Sequence, residues 1–358
     1  MAAAQNEPTS RYLLFGTELY ALPILRPLQA AIRARGGEVR WFLYGQDAHA
    51  HLHQDEIALT HAAEVQKFAP QAVLAAANWV PEFFPGLKVQ VFHGFNVEKR
   101  VGGRGHFRLR GMFDLYCTQG PDTTAPFNAL AAEHGYFRVS ETGWPKLDPL
   151  FRGGDSSADS IRAAAGGRPV IGFGSTFTNE LSCAPLLLEC IANLIAKGEW
   201  YWTLTLHPRC APEIFQRYRA LAGANACFIE PAHMSSLLRA ADVLVADTSS
   251  IVSEFAVQQR PVVTFRNRAP KPHMLDIQTP EALQAAIARA LMPDADWQQR
   301  INAYAEAIHP DRDGHSSERV LAAIDAFREH GRNGLTAKPL NVWRRLQARW
   351  RLRYFLPG

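Results

Sequence analysis

The segment from residue 243 to residue 265 most constrains the fold of this chain. Its first four residues, VLVA, are small and apolar, as in a strand that is buried on both faces. A helical pattern follows to Gln259, and a second apolar strand ends the segment. Between strand and helix stand four polar residues: Asp247, Thr248, Ser249 and Ser250. A strand, a polar turn, a helix and a second strand together indicate a parallel α/β sheet.

Hydroxyl side chains at the start of a helix indicate an anion site. Free backbone N–H groups, the positive end of the helix dipole and Ser or Thr hydroxyls converge there. Ordinary helix capping is the alternative, but a cap requires one such residue. Because four occur in succession, we interpret this segment as a phosphate-binding element.

The remainder of the chain repeats this alternation, which favours parallel sheets with helices on both faces. Strands are predicted at residues 12–15, 39–44, 72–76, 89–93, 114–118, 137–141, 169–173, 201–206 and 227–229. Helices are predicted at residues 20–34, 180–197, 234–241, 280–291, 296–307 and 316–329. A Gly- and Pro-containing run at 142–150 and a polar linker after it divide the chain. We therefore expect a first domain at 1–155, a second domain at 156–330 and a tail at 331–358.

Composition is that of an ordinary globular protein, with 47% hydrophobic and 20% charged residues. The sequence lacks an apolar run of eighteen residues and a secretory signal, so we expect neither a membrane span nor export. Five irregularly spaced cysteines indicate reduced thiols in a cytoplasmic protein. We therefore expect a cytoplasmic location.

Positive charge is concentrated in the tail. Residues 331–358 contain seven Lys or Arg and no acid, leaving 31 basic against 34 acidic residues elsewhere. A nucleic-acid footprint over the whole fold is therefore not expected. Apolar residues recur in the tail at helical spacing, at Trp343, Leu346, Trp350 and Tyr354, with arginines between them. This pattern predicts a basic amphipathic helix on the inner face of the plasma membrane; the alternative is a helix packed on the body with solvated arginines.

The first half carries a candidate base. His93 and Gly94 follow an apolar strand, at the end where open α/β sheets bind ligands. Gly94 would let a substrate approach the backbone. A Gly-rich basic segment follows, in which Lys99, Arg100 and Arg104 suit an anionic acceptor. A structural histidine and a solvated loop are the alternatives.

The second half carries further anion-binding candidates at strand ends. They are Gly174, Ser175 and Thr176 after one strand, and His207 and Arg209 after another. The sequence has no DxD-like acidic pair at a strand end, so we predict no metal and no cofactor. Cationic side chains and helix dipoles would then stabilise a leaving diphosphate.

Five motifs in order resemble those of the CDP-glycerol glycerophosphotransferases of teichoic-acid synthesis. They are His93-Gly94, Thr142-Gly143-x-Pro-x-x-Asp148, His207-Pro208, Asp247-x-Ser249-Ser250 and Asp313-Gly314-x-x-Ser317-x-Arg319. The resemblance covers roughly residues 88–325. It implies a GT-B-like fold, in which two Rossmann-like doubly wound domains face each other across a cleft, and peripheral membrane association.

The resemblance also implies roles for individual residues. His93 matches the family's proposed base on the acceptor hydroxyl, and His207 matches its second functional histidine near the donor phosphates. Donor contacts are expected from the strand-end residues above and from Asp247, Thr248, Ser249, Ser250, Glu254 and Ser317. The expected reaction is transfer of glycerol phosphate from CDP-glycerol to a surface-polysaccharide or lipid-linked acceptor.

Other activities fit the same architecture. A GT-B glycosyltransferase would use a nucleotide sugar for polysaccharide synthesis, with attack at the anomeric carbon. A sugar-nucleotide epimerase is a further alternative. A nucleotide-binding or scaffold protein of a polysaccharide machine would need no catalytic histidines.

Overall fold

A computed structural model describes residues 10–45, 49–95, 105–178 and 180–355. The strands are β1 (Arg11–Gly16), β2 (Glu38–Leu43), β3 (Ala72–Ala75), β4 (Leu87–Gln90), β5 (Leu115–Thr118), β6 (Arg138–Glu141), β7 (Val170–Ser175), β8 (Tyr201–Leu206), β9 (Ala226–Phe228), β10 (Val243–Ala246), β11 (Val262–Phe265) and β12 (Met274–Ile277). The helices are α1 (Ala21–Ala34), α2 (Ala62–Phe68), α3 (Pro121–His134), α4 (Asp148–Phe151), α5 (Ser156–Ala165), α6 (Ala184–Lys197), α7 (Pro212–Arg219), α8 (Met234–Ala240), α9 (Ile251–Ala256), α10 (Leu283–Ala290), α11 (Ala295–Ile308), α12 (Ser316–His330) and α13 (Val342–Arg351).

The chain divides into two compact units. Unit 1 contains the residues up to 148 and those from 313 onward, and unit 2 contains residues 149–312. Each unit is built on a six-stranded parallel sheet, in the orders β2-β1-β3-β4-β5-β6 and β12-β11-β10-β7-β8-β9. The predicted fold class, an α/β protein with two GT-B-like parallel sheets, is confirmed.

The central strands of the sheets are fully buried and mostly apolar. Every residue of β3, β7, β8, β10 and β11 is buried, as expected for strands with helices on both faces. In unit 2, the registers Ala246↔Gly174 and Gly174↔Thr205 bring the ends of β10, β7 and β8 to one edge. The strand order reverses between β7 and β10, and such switch points are where open α/β sheets bind ligands.

Two predicted boundaries need correction, and one strand was missed. Helix α12 was expected in the second domain, but its contacts place it in unit 1, where Ser316 and Ser317 bind Asp148. The predicted linker after residue 150 contains α5, capped by Asp155, whose carboxylate accepts from two backbone N–H groups. Strand β12 was not predicted.

The tail lies against unit 1, but its helix is oriented opposite to the packed-helix alternative, in which the arginines would be solvated. Ala348 is buried, Tyr354 stacks on Phe83 with ring centroids 4.8 Å apart, and Arg349 pairs with Glu82 at 2.9 Å. Trp343 and Trp350 instead point outward, 79% and 73% exposed. Helix α13 is therefore docked with arginines toward the body and tryptophans toward solvent, and Tyr354 does not belong to the exposed apolar face.

None of the helices in the described part of the chain is long and apolar enough to cross a membrane.

Candidate active site

Asp247 organises the switch point of unit 2. Its buried carboxylate accepts hydrogen bonds from Ser175 Oγ (2.6 Å), the Thr176 N–H (3.0 and 3.1 Å) and the Cys183 N–H (3.1 Å). Burial raises the pKa of Asp247, and these hydrogen bonds oppose the rise. Its acceptor capacity is thus used within the protein. Asp247 and Ser175 fix the loop between β7 and α6, and both were predicted to bind the donor directly.

Gly174 has a packing role in this geometry. A Cβ atom at this position would lie 2.8 Å from Cδ1 of Ile251, the first residue of α9. The glycine therefore lets the turn after β10 lie close against β7, and it precedes the Ser175 and Thr176 turn of the site.

The hydroxyl run 248–250 is presented toward the carboxyl edge of the sheet. Ser250 is the residue before α9, and its side chain makes no capping hydrogen bond. Thr248 Oγ1 accepts from the Arg268 N–H at 3.0 Å. Within the described ranges, the Ser249 and Ser250 hydroxyls have no protein partner, so the capping alternative is not realised. Because α9 has only six residues, its dipole is short, and the hydroxyls are the main polar groups here.

Glu254 lies in α9 and is buried. It was predicted to contact the donor from its position just after the hydroxyl run. Its side chain is enclosed by the fold, and donor contact by Glu254 stays a prediction.

His207 and Arg209 lie beyond β8 and share an aromatic partner. The Arg209 backbone N–H donates to His207 Nδ1 at 3.1 Å, so the neutral ring carries its proton on Nε2. Burial, and then the Arg209 charge, lowers the pKa of His207. The Phe177 ring packs against His207 in a tilted arrangement, with centroids 4.3 Å apart. The Arg209 guanidinium lies over the Phe177 ring, 5.6 Å from its centroid. Phe177, which sequence reasoning missed, thus holds a neutral Nε2–H donor beside a cation.

In unit 1, the backbone turns sharply before the predicted base. Strand β4 ends at Gln90, three residues before His93, and Phe92 has a left-handed φ of 57°. Non-glycine residues seldom adopt such a conformation, and it often occurs at functional sites. The turn presents an exposed His93 side chain at the carboxyl edge of the sheet.

The His93 ring is oriented by neighbours on two sides. Its Nδ1 lies 3.2 Å from the Ala76 carbonyl oxygen, and it can only donate to that acceptor. The basic atom of the neutral ring is therefore Nε2. The Tyr20 ring packs against the imidazole in a tilted arrangement, with ring centroids 5.2 Å apart. This arrangement suits proton transfer by a general base.

Among the described residues, none lies within 4 Å of the position that a Cβ atom added to Gly94 would occupy. Its carbonyl oxygen accepts from Gln119 Nε2 at 2.9 Å. Packing against the described residues therefore does not require glycine at position 94. Close approach of a substrate to the backbone stays the predicted reason for this glycine. The other predicted acceptor residues, Lys99, Arg100 and Arg104, lie outside the described residues.

Ser317 is placed differently from the expectation. It is fully buried in unit 1, and its hydroxyl donates to Asp148 at 2.6 Å. Asp313 and Arg319 of the same motif pair with each other. These contacts fix the start of α12, so the motif has a structural role within unit 1, and donor contact by Ser317 stays a prediction.

No group of three or more His, Cys, Asp or Glu residues in the described ranges is arranged to hold a metal ion.

The two six-stranded parallel sheets, with a polar switch point in unit 2, define a GT-B-like fold. Residues 112–326, more than half of the chain, match the family model of CDP-glycerol:poly(glycerophosphate) glycerophosphotransferases. The chain belongs to this family, and it is an enzyme of that class.

Solved structures show the same fold. The wall teichoic acid polymerase TagF matches with a TM-score of 0.64 at 15% identity, covering 90% of this chain and 91% of that one. A putative UDP-N-acetylglucosamine 2-epimerase from Listeria monocytogenes matches with a TM-score of 0.63 at 16% identity, covering 90% and 98%. S. aureus MnaA, solved with UDP, gives 0.61 at 15%, covering 92% and 99%. A comparison with curated protein sequences found no match.

Proposed function

We propose that this enzyme transfers glycerol phosphate from CDP-glycerol to a hydroxyl group of a surface-polysaccharide or lipid-linked acceptor. Membership of the glycerophosphotransferase family carries this proposal. The polar edge of unit 2 supports it, because a cation, an Nε2–H donor and two serine hydroxyls suit a diphosphate. One of the matching TagF structures is a variant that was soaked with CDPG. The match to this chain is a likeness of fold.

In the proposed mechanism, His93 Nε2 takes the proton of the acceptor hydroxyl. The oxygen attacks the phosphorus of the glycerol phosphate group and forms a new O–P bond. The bond from this phosphorus to the bridging oxygen breaks, and CMP departs with that oxygen. His207, Arg209, Ser249 and Ser250 stabilise the developing negative charge, in a transfer that we propose to be independent of a metal.

Alanine substitutions at the two histidines should impair different steps of the reaction. His93→Ala should abolish transfer and leave CDP-glycerol binding within about twofold, because the base acts on the acceptor. His207→Ala should weaken donor binding or turnover by roughly ten- to a hundredfold, the cost of a charge-assisted contact. Transfer of labelled glycerol phosphate and calorimetric binding of CDP-glycerol measure these effects.

The exposed His51 provides a matched control, since its side chain has no role in either site; His51→Ala should behave as wild type. Full transfer by a folded His93→Ala enzyme would eliminate this mechanism. Each enzyme should also be incubated with UDP- and GDP-sugars. Sugar transfer without glycerol phosphate transfer would instead establish the glycosyltransferase alternative.

We also propose that the enzyme works at the inner face of the plasma membrane, bound through its tail. The outward face of α13 supports this, since Trp343, Leu346 and Trp350 are exposed together. Tryptophan is favoured at membrane interfaces, and arginines nearby are attracted to anionic lipids.

A further inference from the structure

The tail is docked on the loop before β5 by specific contacts. Asn341 Nδ2 donates to the carbonyl oxygens of Arg110 (2.9 Å) and Gly111 (3.3 Å). Gly111 has a φ of 67°, and a Cβ there would lie 2.4 Å from Pro339 Cγ. Only glycine at position 111 allows the loop and the tail to approach this closely. The close approach fixes the walls of a cavity between them.

This cavity is lined by residues of the loop and of the tail, together with Trp79 from the segment between β3 and β4. It has a volume of about 120 Å³ and its lining includes Trp79, Arg110, Arg344, Gln347, Ala348 and Arg351. We call it the triarginine pocket. The Arg351 guanidinium lies 5.5 Å from the centre of the Trp79 ring, and Arg344 donates to the Arg110 carbonyl oxygen at 3.3 Å.

Positive charge in the triarginine pocket is uncompensated. Across the described part of the chain, no carboxylate lies within salt-bridge distance of Arg110, Arg344 or Arg351. Burial, followed by the charges of Arg108 and Arg344, lowers the pKa of Arg110. Guanidinium groups that repel one another in a cavity are stabilised by an anion that bridges them.

A second, larger cavity near the tail differs in this respect. It has a volume of about 450 Å³, and Glu82, Arg332 and Lys338 are among its lining residues. Arg332 and Lys338 both pair with Asp114, at 2.5 and 2.7 Å. Two of its cations therefore share a carboxylate partner, although Arg345 also lines this cavity. The triarginine pocket differs because none of its three arginines has such a partner in the described part of the chain.

The triarginine pocket lies beside the outward apolar face of α13. Arg344, Gln347 and Arg351 line one flank of the helix, and each residue is rotated by about 100° from the next. Trp343 and Trp350 therefore project from the adjoining face, away from the buried Ala348. An anion in the pocket would lie near the level at which these tryptophans meet a membrane.

We propose that the triarginine pocket binds the phosphate group of an anionic membrane lipid. This inference rests on the proposed membrane association of the tail. The volume is that of roughly four water molecules at about 30 Å³ each, enough for a phosphate group and too small for a nucleotide.

The test measures binding of monomeric dioctanoyl phosphatidic acid to the full chain by calorimetry. We expect one binding site in the wild type and at least tenfold weaker binding in Arg344→Gln and in Arg351→Gln. Arg328→Gln, which removes an exposed arginine of α12, should bind within twofold of the wild type. Thermal unfolding of each variant verifies that the fold is retained.

Three further ligands identify the source of the anion. Dioctanoylglycerol, which lacks the phosphate, should not bind detectably. Inorganic phosphate should compete at least tenfold more weakly than the lipid, and equal affinity would overturn the assignment to lipid. Vesicles that carry oleate have the same negative surface charge without a phosphate group. Arg344→Gln and Arg328→Gln should bind equally to such vesicles.

Equal lipid binding by all variants would refute the pocket as the site. Failure of the proposed function would look different. A chain that binds the short lipid through these arginines but neither transfers glycerol phosphate nor sediments with vesicles would retain the pocket and lose the function.

Discussion

Two buried aspartates perform equivalent tasks in the two units. Asp148 accepts from the Ser316 and Ser317 N–H groups at 2.8 and 2.9 Å, and Asp247 accepts from backbone N–H groups before α6. Burial raises the pKa of both carboxyl groups, and hydrogen bonds oppose it. Each aspartate thus secures a helix start that belongs to a distant part of the sequence.

Replacement of Asp247 should impair the site indirectly, by destabilising the loop between β7 and α6. In Asp247→Asn the amide NH₂ would face N–H donors, which leaves buried groups unsatisfied at about 1–3 kcal/mol. We expect that loss of unfolding free energy and a KM for CDP-glycerol raised about tenfold. Asp294 caps α11 through one N–H group, and Asp294→Asn should change stability by less than about 0.5 kcal/mol. Equal effects of the two variants would contradict the assigned role.

At the level of elements, α13 is docked by its polar side. The contacts of Arg349 with Glu82 and Phe83 hold it to the body, whereas Trp343 and Trp350 contribute little to packing. Deletion of the tail would therefore combine loss of structure with loss of membrane contact. Point variants are needed to separate the two.

Removing the outward tryptophans should affect membrane binding alone. Trp343→Ser with Trp350→Ser should lower the fraction of protein bound to anionic liposomes by roughly tenfold or more, since each ring buries apolar area worth about 1.5–3 kcal/mol. Its melting temperature should stay within about 2 °C of wild type. Met292→Ser, at another exposed apolar residue, is the control and should bind as wild type. Sedimentation of the double variant at the wild-type level would exclude the outward face as the contact.

At the level of the whole molecule, each unit encloses a histidine that is held neutral. Burial lowers the pKa of His106 in unit 1 and of His273 in unit 2 to about 4. His273 is 4% exposed, its Nε2 has no hydrogen-bond partner in the described structure, and it stacks on Tyr304 with centroids 3.6 Å apart. Protonation of either ring is therefore easier in the unfolded chain.

Acid should destabilise the protein through these rings. The folded pKa of His273 lies below its unfolded value of about 6.5, so the unfolded state binds the proton first and stability falls as pH drops from about 6.5 toward 4. Between pH 7 and 5 this costs about 2 kcal/mol for His273. His273→Phe keeps the stacking and should lose correspondingly less stability in urea titrations at the two pH values. His233→Gln, at an exposed histidine of unit 2, should retain the wild-type loss; an identical loss in His273→Phe would contradict the assignment.

Sequence patterns predicted most strands, some from continuous apolar runs such as VLVA of β10 and some from alternation such as YWTLTL of β8. Strand β8 was predicted at its observed bounds, and β10 likewise. Strand β12 was missed because MLDI is short, half-buried and carries Asp276. Helix α5 had readable signals, since Asp155 caps it and Ala158, Ile161 and Ala165 are buried at helical spacing.

The candidate site was predictable in its residue types and less so in their orientation. Hydroxyl residues at strand ends were recognised, but spacing could not show that Asp247 is turned inward. Phe177 carried no polar signal, and its contact with His207 depends on the packing of two loops. The sequence could not show that α12 belongs to unit 1, because its partner, Asp148, lies 168 residues away from Ser316.

The contact between Asp148 and α12 has a consequence for synthesis on the ribosome. Residues 149–312 emerge as an uninterrupted segment that contains every strand of their own sheet. The earlier segment, although translated first, lacks α12 until the last part of the chain has been made. At about 5–20 residues per second, the nascent first sheet would wait roughly 8–33 s for the 165 or so residues in between. The order of folding would then be the reverse of the order of translation, with the inserted unit maturing before the one that surrounds it.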